Sequence, residues 1–290
     1  MSDPRRWADL HMHSTASDGV YAPAHLMRLA ARRGLSAVAL TDHDTVAGLD
    51  EACRAAADAG IEFLTGVELA CTMAGRMIHL LGYGFDSNDA ALNASLQRIR
   101  SWRDERNRAI LKRLSEIGKP LDSADYRAAN GHAVGRPHIA RAMVKAGYVR
   151  DERAAFAQYL GQGAAAFVPR QTLSAADGLT LIRQAGGRTS LAHPGQILFE
   201  SPPQRDTVIG RLVDLGLDAI EIYHPSHDDH QTRRFLELTG RYGLAITGGS
   251  DFHGSAGAAP PPVAVGFSSL RVPYDVIRLV LARGDFAKSA

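Results

Sequence analysis

The stretch Asp9-Leu10-His11-Met12-His13-Ser14, followed by Asp18, decides how the rest of the chain is read. Residues 7–11 read as a short strand that runs out into a loop, and the period of two puts Asp9, His11 and His13 on one side of the extended backbone. Two imidazoles so placed can reach one point, which is what a transition metal asks of a strand end. A lone H-x-H arises by chance in many proteins. Its meaning here depends on whether later segments supply further ligands at comparable places.

They do. Residues 23–33 read as a helix, with Pro23 near its first turn and Gly34 as its stop. Ala37-Val38-Ala39-Leu40 is then an apolar strand that ends in Thr41-Asp42-His43-Asp44. A helix over 46–59 leads to a strand over 61–67 that ends at Glu68, and the next strand, 77–83, carries His79 inside an apolar run. After residue 169 the alternation resumes, with helices at 174–185, 205–215 and 227–242. The strands between and after them, 189–192, 219–223 and 244–247, end in His193-Pro194, His224-Pro225 and Gly249-Ser250-Asp251-Phe252-His253. A strand near 263–267 and a helix near 274–282 close the series. Alternating strands and helices with polar strand tips are the α/β pattern in which strands pair in parallel and reactive groups collect at their carboxyl ends. A distorted βα barrel fits best, with a doubly wound sheet as the alternative.

Between 90 and 169 only helical periodicity is present, at 90–117, 123–130, 137–146 and 151–160. This predicts a small helical domain inserted in the barrel, so that 1–89 and 170–290 form the barrel and 90–169 a cap that contributes substrate-binding residues.

Composition narrows the function classes. Among 290 residues, 33 Lys and Arg against 31 Asp and Glu leave a net charge of +2, unlike a surface held to nucleic acid mainly through phosphate charge. Cys53 and Cys71 form no CxxC pattern, which argues against a disulfide framework or a zinc ribbon. With no membrane-length apolar run and no signal-peptide pattern, the expected setting is cytoplasmic. No obligate protein partner is evident.

In a barrel the strand ends bring together His11, His13, Asp18, His43, Glu68, His79, His193, Asp251 and His253, and coincidence becomes the weaker explanation of so many metal-type side chains. The motifs H-M-H-S with Asp18, T-D-H-D at 41–44, Glu68, His79, A-H-P at 192–194 and G-S-D-F-H at 249–253 resemble those of the polymerase and histidinol phosphatase (PHP) superfamily. The resemblance implies a distorted seven-stranded barrel with three divalent ions, commonly manganese, with zinc or iron(II) as alternatives. It also implies a partition: His11, His13, Glu68 and Asp251 on one ion, Glu68, His79 and His193 on a second, and Asp18, His43 and His253 on a third. Hydrolysis of a phosphate ester by an activated hydroxide follows from such a centre.

Gly135-Arg136-Pro137-His138 places Arg136 at a helix start, where anions are favoured and a guanidinium grips phosphate in bidentate fashion. With the Tyr223-His224-Pro225 tip, this segment resembles the PHP subgroup that removes the 3′-phosphate of nucleoside 3′,5′-bisphosphates and trims short oligonucleotides from the 5′ end. Arg136, His138, Ser14 and His224 are the candidate substrate contacts, and His224 and Asp44 the candidates for proton transfer. A small nucleotide, extending to short RNA or DNA, is the expected partner. Histidinol phosphate hydrolysis uses the same metal chemistry but gives Arg136 no second phosphate to hold. A metal-bound scaffold without activity is the non-enzymatic alternative.

Overall fold

The computed structural model describes residues 6–122, 135–197, 202–254 and 272–276. The chain forms two compact units, one comprising Met1–Asn93 and Leu173–Ala290, the other Ala94–Thr172. In the first unit the strands are β1 (Trp7–Asp9), β2 (Leu35–Leu40), β3 (Glu62–Met73), β4 (Arg76–Tyr83), β5 (Leu173–Ser174), β6 (Arg188–Leu191), β7 (Ala219–Tyr223), β8 (Ala245–Gly248) and β9 (Val272–Pro273). Their order in the sheet is β8-β7-β6-β4-β3-β2-β1-β9, with β5 beside β3. The two ends of the series meet, because Leu10 N–H donates to the Gly248 carbonyl at 3.1 Å and Met12 bridges Phe252 in parallel. Seven strands, β1, β2, β3, β4, β6, β7 and β8, thus make a nearly closed barrel, and the α/β barrel expected from the sequence is the fold observed.

The pairing departs from the expected all-parallel pattern. β3 continues through Glu68 to Met73 and pairs antiparallel with β4, which is also antiparallel to β6. The cause is a two-residue turn at Ala74-Gly75, both with positive φ (50° and 73°), the conformation that joins a tight hairpin without a crossover helix. Glu68 and His79 therefore sit within strands rather than at strand ends. The expected strand near 263–267 and helix at 123–130 lie outside the described residues, as does most of the expected helix at 274–282.

Helices α1 (Pro23–Arg32) and α2 (Leu49–Asp58) follow β1 and β2. Nearly all of β2 is buried, as befits a strand covered on both faces. One core cluster joins Ala8, Leu10, Ala37, Ala39, Leu81, Tyr83 and Ala192. Its small alanines accompany the fully buried ring of Tyr83, whose hydroxyl donates to the Leu10 carbonyl at 2.9 Å. That bond anchors the backbone one residue before His11.

In the other unit, α3 (Ala90–Glu116) from residue 94 onward, α4 (Arg136–Lys145) and α5 (Glu152–Ala155), extended by a π turn at Phe156–Leu160, enclose a separate core. Ile110, Leu114, Ile139, Met143 and Leu160 are fully buried in it. In the first unit α6 (Ala175–Gln184), α7 (Pro202–Asp214) and α8 (Asp229–Tyr242) complete the helices. None of the described helices is long and apolar enough to cross a membrane.

Candidate metal centre

Backbone pairing continues past the strands and carries the ligand residues with it. Asp251 N–H donates to the His11 carbonyl at 2.8 Å, and His13 N–H to the Phe252 carbonyl at 2.9 Å. Asp44 N–H donates to the Glu68 carbonyl at 2.9 Å, Glu68 N–H to the Asp42 carbonyl at 3.2 Å, and Ala192 N–H to the His79 carbonyl at 3.0 Å. Neighbouring ligand segments are thus fixed to each other before any side-chain contact is considered. Asp44, His193 and Asp251 have φ of 54°, 28° and 53°, a region that costs a non-glycine residue free energy and tends to be retained at functional sites.

Glu68 is the hub, with no solvent exposure. Its Oε2 lies 2.8 Å from His43 Nδ1, 3.3 Å from His13 Nε2 and 3.4 Å from His11 Nε2. Its Oε1 lies 2.8 Å from His79 Nδ1 and 3.0 Å from His193 Nε2. Asp251 Oδ1 is 3.1 Å from His13 Nε2 and 3.4 Å from His11 Nε2, while Asp18 Oδ1 is 3.2 Å from His253 Nε2. Three groups have ligand atoms within 4.8 Å of one another: His11, His13, Glu68 and Asp251; His43, Glu68 and His79; and His13, Asp18, His43 and His253. Eight of the nine side chains named from the sequence fall in these groups, His13, His43 and Glu68 each in two, so His43 rather than His193 accompanies Glu68 and His79; His193 joins through Glu68 Oε1 at 3.0 Å.

The donor set fits divalent cations. His11 Nε2, both ring nitrogens of His13, His43 Nδ1, Glu68 Oε2 and His193 Nδ1 are buried and, close as several of them lie, make no well-directed hydrogen bond, an arrangement that costs free energy unless a cation takes up the free lone pairs. Burial raises the Glu68 carboxyl, but His43, His79 and His11 outweigh it and hold the group well below its ordinary range. Asp251 is likewise low, burial being overcome chiefly by His11 and His13. Burial lowers His43, yet Glu68 carries it up to about 9. Protons on such imidazoles compensate the carboxylates, and metal binding releases them. Mixed imidazole and carboxylate ligands suit manganese, iron or zinc.

The other expected residues have these positions. His224 belongs to the cluster, with Nδ1 accepting Ser226 N–H at 3.1 Å and Nε2 lying 3.6 Å from Asp251 Oδ2. Asp44 is buried, and its Oδ1 accepts Ala70 N–H at 3.1 Å. Ser14 is fully buried, and both its N–H and its hydroxyl donate to Asp42 at 2.7 Å, which fixes the loop after His13. Arg136 and His138 belong to the inserted unit. Arg136 donates to the Leu160 carbonyl at 3.1 Å and stands over the Phe156 ring, and Gly135 N–H donates to His138 Nδ1 at 3.2 Å. Burial and Arg170 lower the Arg136 guanidinium from its ordinary value.

Two residues given no role from the sequence also take part. Glu221, fully buried in β7, lies between His11 and His193. His227 accepts Gly195 N–H at Nε2 and reaches the Ile222 carbonyl through Nδ1. A carboxylate inside the apolar run Ala219-Ile220-Glu221-Ile222 was the one available signal for the first of these.

Comparison with known proteins agrees with this geometry. Residues 9–126 match the PHP domain model, a span that holds six of the nine clustered ligands. A 3′,5′-nucleoside bisphosphate phosphatase of Chromobacterium violaceum is 38% identical over 251 residues, covering 84% of this chain and 86% of the relative. A 5′-3′ exoribonuclease of Haemophilus influenzae is 36% identical over 245 residues, covering 84% and 89%. A solved structure from Bifidobacterium adolescentis, described as a metal-dependent phosphoesterase, superposes with a TM-score of 0.84 at 29% identity over 98% of both chains. The motifs, the converging ligands and relatives matched over most of their length give one conclusion: the chain belongs to the PHP family of phosphoester-hydrolysing enzymes.

Proposed function

We propose that the protein is a metal-dependent phosphatase that removes the 3′-phosphate from nucleoside 3′,5′-bisphosphates, such as adenosine 3′,5′-bisphosphate, and also shortens 5′-phosphorylated oligonucleotides from the 5′ end. The observation that carries the substrate class is the 38% identity to a bisphosphate phosphatase over nearly the whole of both chains. The exoribonuclease relative supports the second activity. The Glu68-centred ligand set supports the chemistry.

In this reading His11, His13, Glu68 and Asp251 hold one divalent ion, Glu68, His79 and His193 a second, and Asp18, His43 and His253 a third, manganese being the preferred metal. Such ions supply Lewis acidity toward phosphoryl oxygens and a water nucleophile at neutral pH. The chain's own residues do the rest. Glu68 keeps both oxygens ionised at the shared position, because the surrounding imidazoles hold its pKa down. His224 is the candidate donor of a proton to the leaving 3′-oxygen: as an imidazolium it would donate from Nε2 while Ser226 Oγ, 2.8 Å from Nδ1, holds the other N–H. Asp44 is the second candidate. Arg136 is assigned the 5′-phosphate, which a planar guanidinium binds through two parallel bonds, with His138 beside it in the same helical turn.

Phosphate release from adenosine 3′,5′-bisphosphate, histidinol phosphate, AMP and a 5′-phosphorylated RNA oligomer, compared side by side, tests this reading. It expects turnover of the bisphosphate with AMP left intact. Preference for histidinol phosphate would overturn the assignment of Arg136 and of the substrate.

A further inference from the structure

Glu221 is an acid in the middle of an otherwise apolar strand, with Ile220 and Ile222 buried on either side. A carboxylate so placed is tolerated only when its lone pairs are used. Both oxygens are engaged, and each by a different ligand of the metal centre. Oε1 accepts the Nδ1–H of His11 at 3.0 Å, and Oε2 accepts the backbone N–H of His193 at 2.7 Å.

The two bonds do different things. In the neutral ring the first places the proton of His11 on Nδ1, and so makes Nε2, 3.4 Å from both Glu68 and Asp251, the nitrogen left to bind a metal. The second holds the backbone of His193 at φ 28° and ψ 57°, an unfavourable conformation for a side-chain-bearing residue. The far side of the same turn is held from the same direction. His227, which follows β7, donates from Nδ1 to the Ile222 carbonyl at 2.9 Å and accepts Gly195 N–H at Nε2 at 3.1 Å. The result is that the rings of His11 and His193 stack, 5.7 Å apart at 23°.

We propose that Glu221 is the positioning residue of the metal centre, setting the tautomer of His11 and the strained turn at His193 together, with His227 as the second tether of that turn. The proposal rests on the metal-centre reading above, and its test separates the two.

Glu221→Gln is the informative substitution because it keeps the shape and removes one acceptor. An amide oxygen turned toward His193 N–H leaves the NH2 facing His11 Nδ1. His11 can then accept only by moving its proton to Nε2, the nitrogen that must be bare to bind metal. The opposite rotamer sets the NH2 against His193 N–H and releases the strained turn. Either way the expected outcome is manganese affinity weakened by about tenfold to a hundredfold, measured by competition with a chelator, as outer-shell partners typically cause. His227→Gln is expected to lower the affinity less. Manganese affinity of Glu221→Gln within about threefold of wild type would overturn the proposal, even if the variant melted at a lower temperature. Should that variant not fold, nitrogen-15 shifts of zinc-loaded wild-type protein decide: the proposal requires His11 to be protonated at Nδ1 and bound through Nε2, and the reverse overturns it. Wild-type protein that took up neither metal would overturn the metal-centre reading itself.

Discussion

His13 Nε2 stands 3.1 Å from Asp251 Oδ1 across the seam where the segment after β8 meets the segment after β1. These residues are far apart in the chain and come together only when the barrel closes. On the proposed metal reading, donors on both sides of the seam couple metal binding to closure, because an ion that binds the folded chain alone stabilises it by mass action.

Manganese is therefore expected to raise the melting temperature. At a hundred times its dissociation constant it contributes about 2.7 kcal/mol, or roughly 5 °C for a chain of this size. Asp251→Ala should lose most of that shift, as scanning calorimetry with and without chelator would show. An unchanged melting temperature in the wild type would contradict the coupling of metal to closure.

Gly249 tests the seam by crowding it. A Cβ there would come within 2.3 Å of His11 Cβ and 2.4 Å of the His11 backbone nitrogen. Since the obstacle includes backbone, the strands must separate to accept it. Gly249→Ala should cost about 1–3 kcal/mol, as overpacking does, and weaken metal binding as well. A folded variant with wild-type stability in urea and wild-type metal affinity would count against so close an approach.

Asp9 gives the pH dependence of the metal-free protein. Burial raises its carboxyl from 3.8 to about 6, although Ser250 and His11 lower it through hydrogen bonds. A carboxyl with a raised folded pKa contributes stability that is fully present below pH 3.8 and lost as pH rises through about 6. Asp9→Asn retains an oxygen to accept the His11 and Ser250 N–H groups, which both bond Oδ1. In chelator, the variant should gain stability relative to wild type between pH 4 and 7, by about 1–3 kcal/mol. A difference that stays flat with pH would show that Asp9 does not titrate in this range.

Arg136→Ala is expected to raise KM for a bisphosphate by about tenfold to a hundredfold, the range for a lost charged hydrogen bond. Hydrolysis of an aryl phosphate, which has no second phosphate, should change little. An equal loss on both substrates would remove the anchoring role from Arg136.

Much of the ligand set was legible because strand ends in an α/β chain are short and their polar tips stand out after apolar runs, as Leu40 gives way to Thr41-Asp42-His43-Asp44. Glu68 reads from the sequence as the end of a strand, yet it lies within one. Leu69, Ala70 and Cys71 beyond it are as apolar as a new element, and only the Ala74-Gly75 turn showed that one strand ran on into a hairpin. Glu221 was hidden for a different reason. Its meaning depends on His11, a partner 210 positions away, and local pattern cannot show such a contact. Asp9 and Asp42, which stand beside the histidines in sequence, bond backbone N–H groups and serine hydroxyls rather than imidazoles.

The most direct measurement is the metal content of wild-type and Glu68→Ala protein, both reconstituted with manganese, desalted and assayed on adenosine 3′,5′-bisphosphate. The wild type should retain more than one manganese per chain and release phosphate. Glu68→Ala should lose bound metal and activity together, turnover falling by more than about a hundredfold. A variant that kept its manganese and its turnover would contradict the Glu68-centred site.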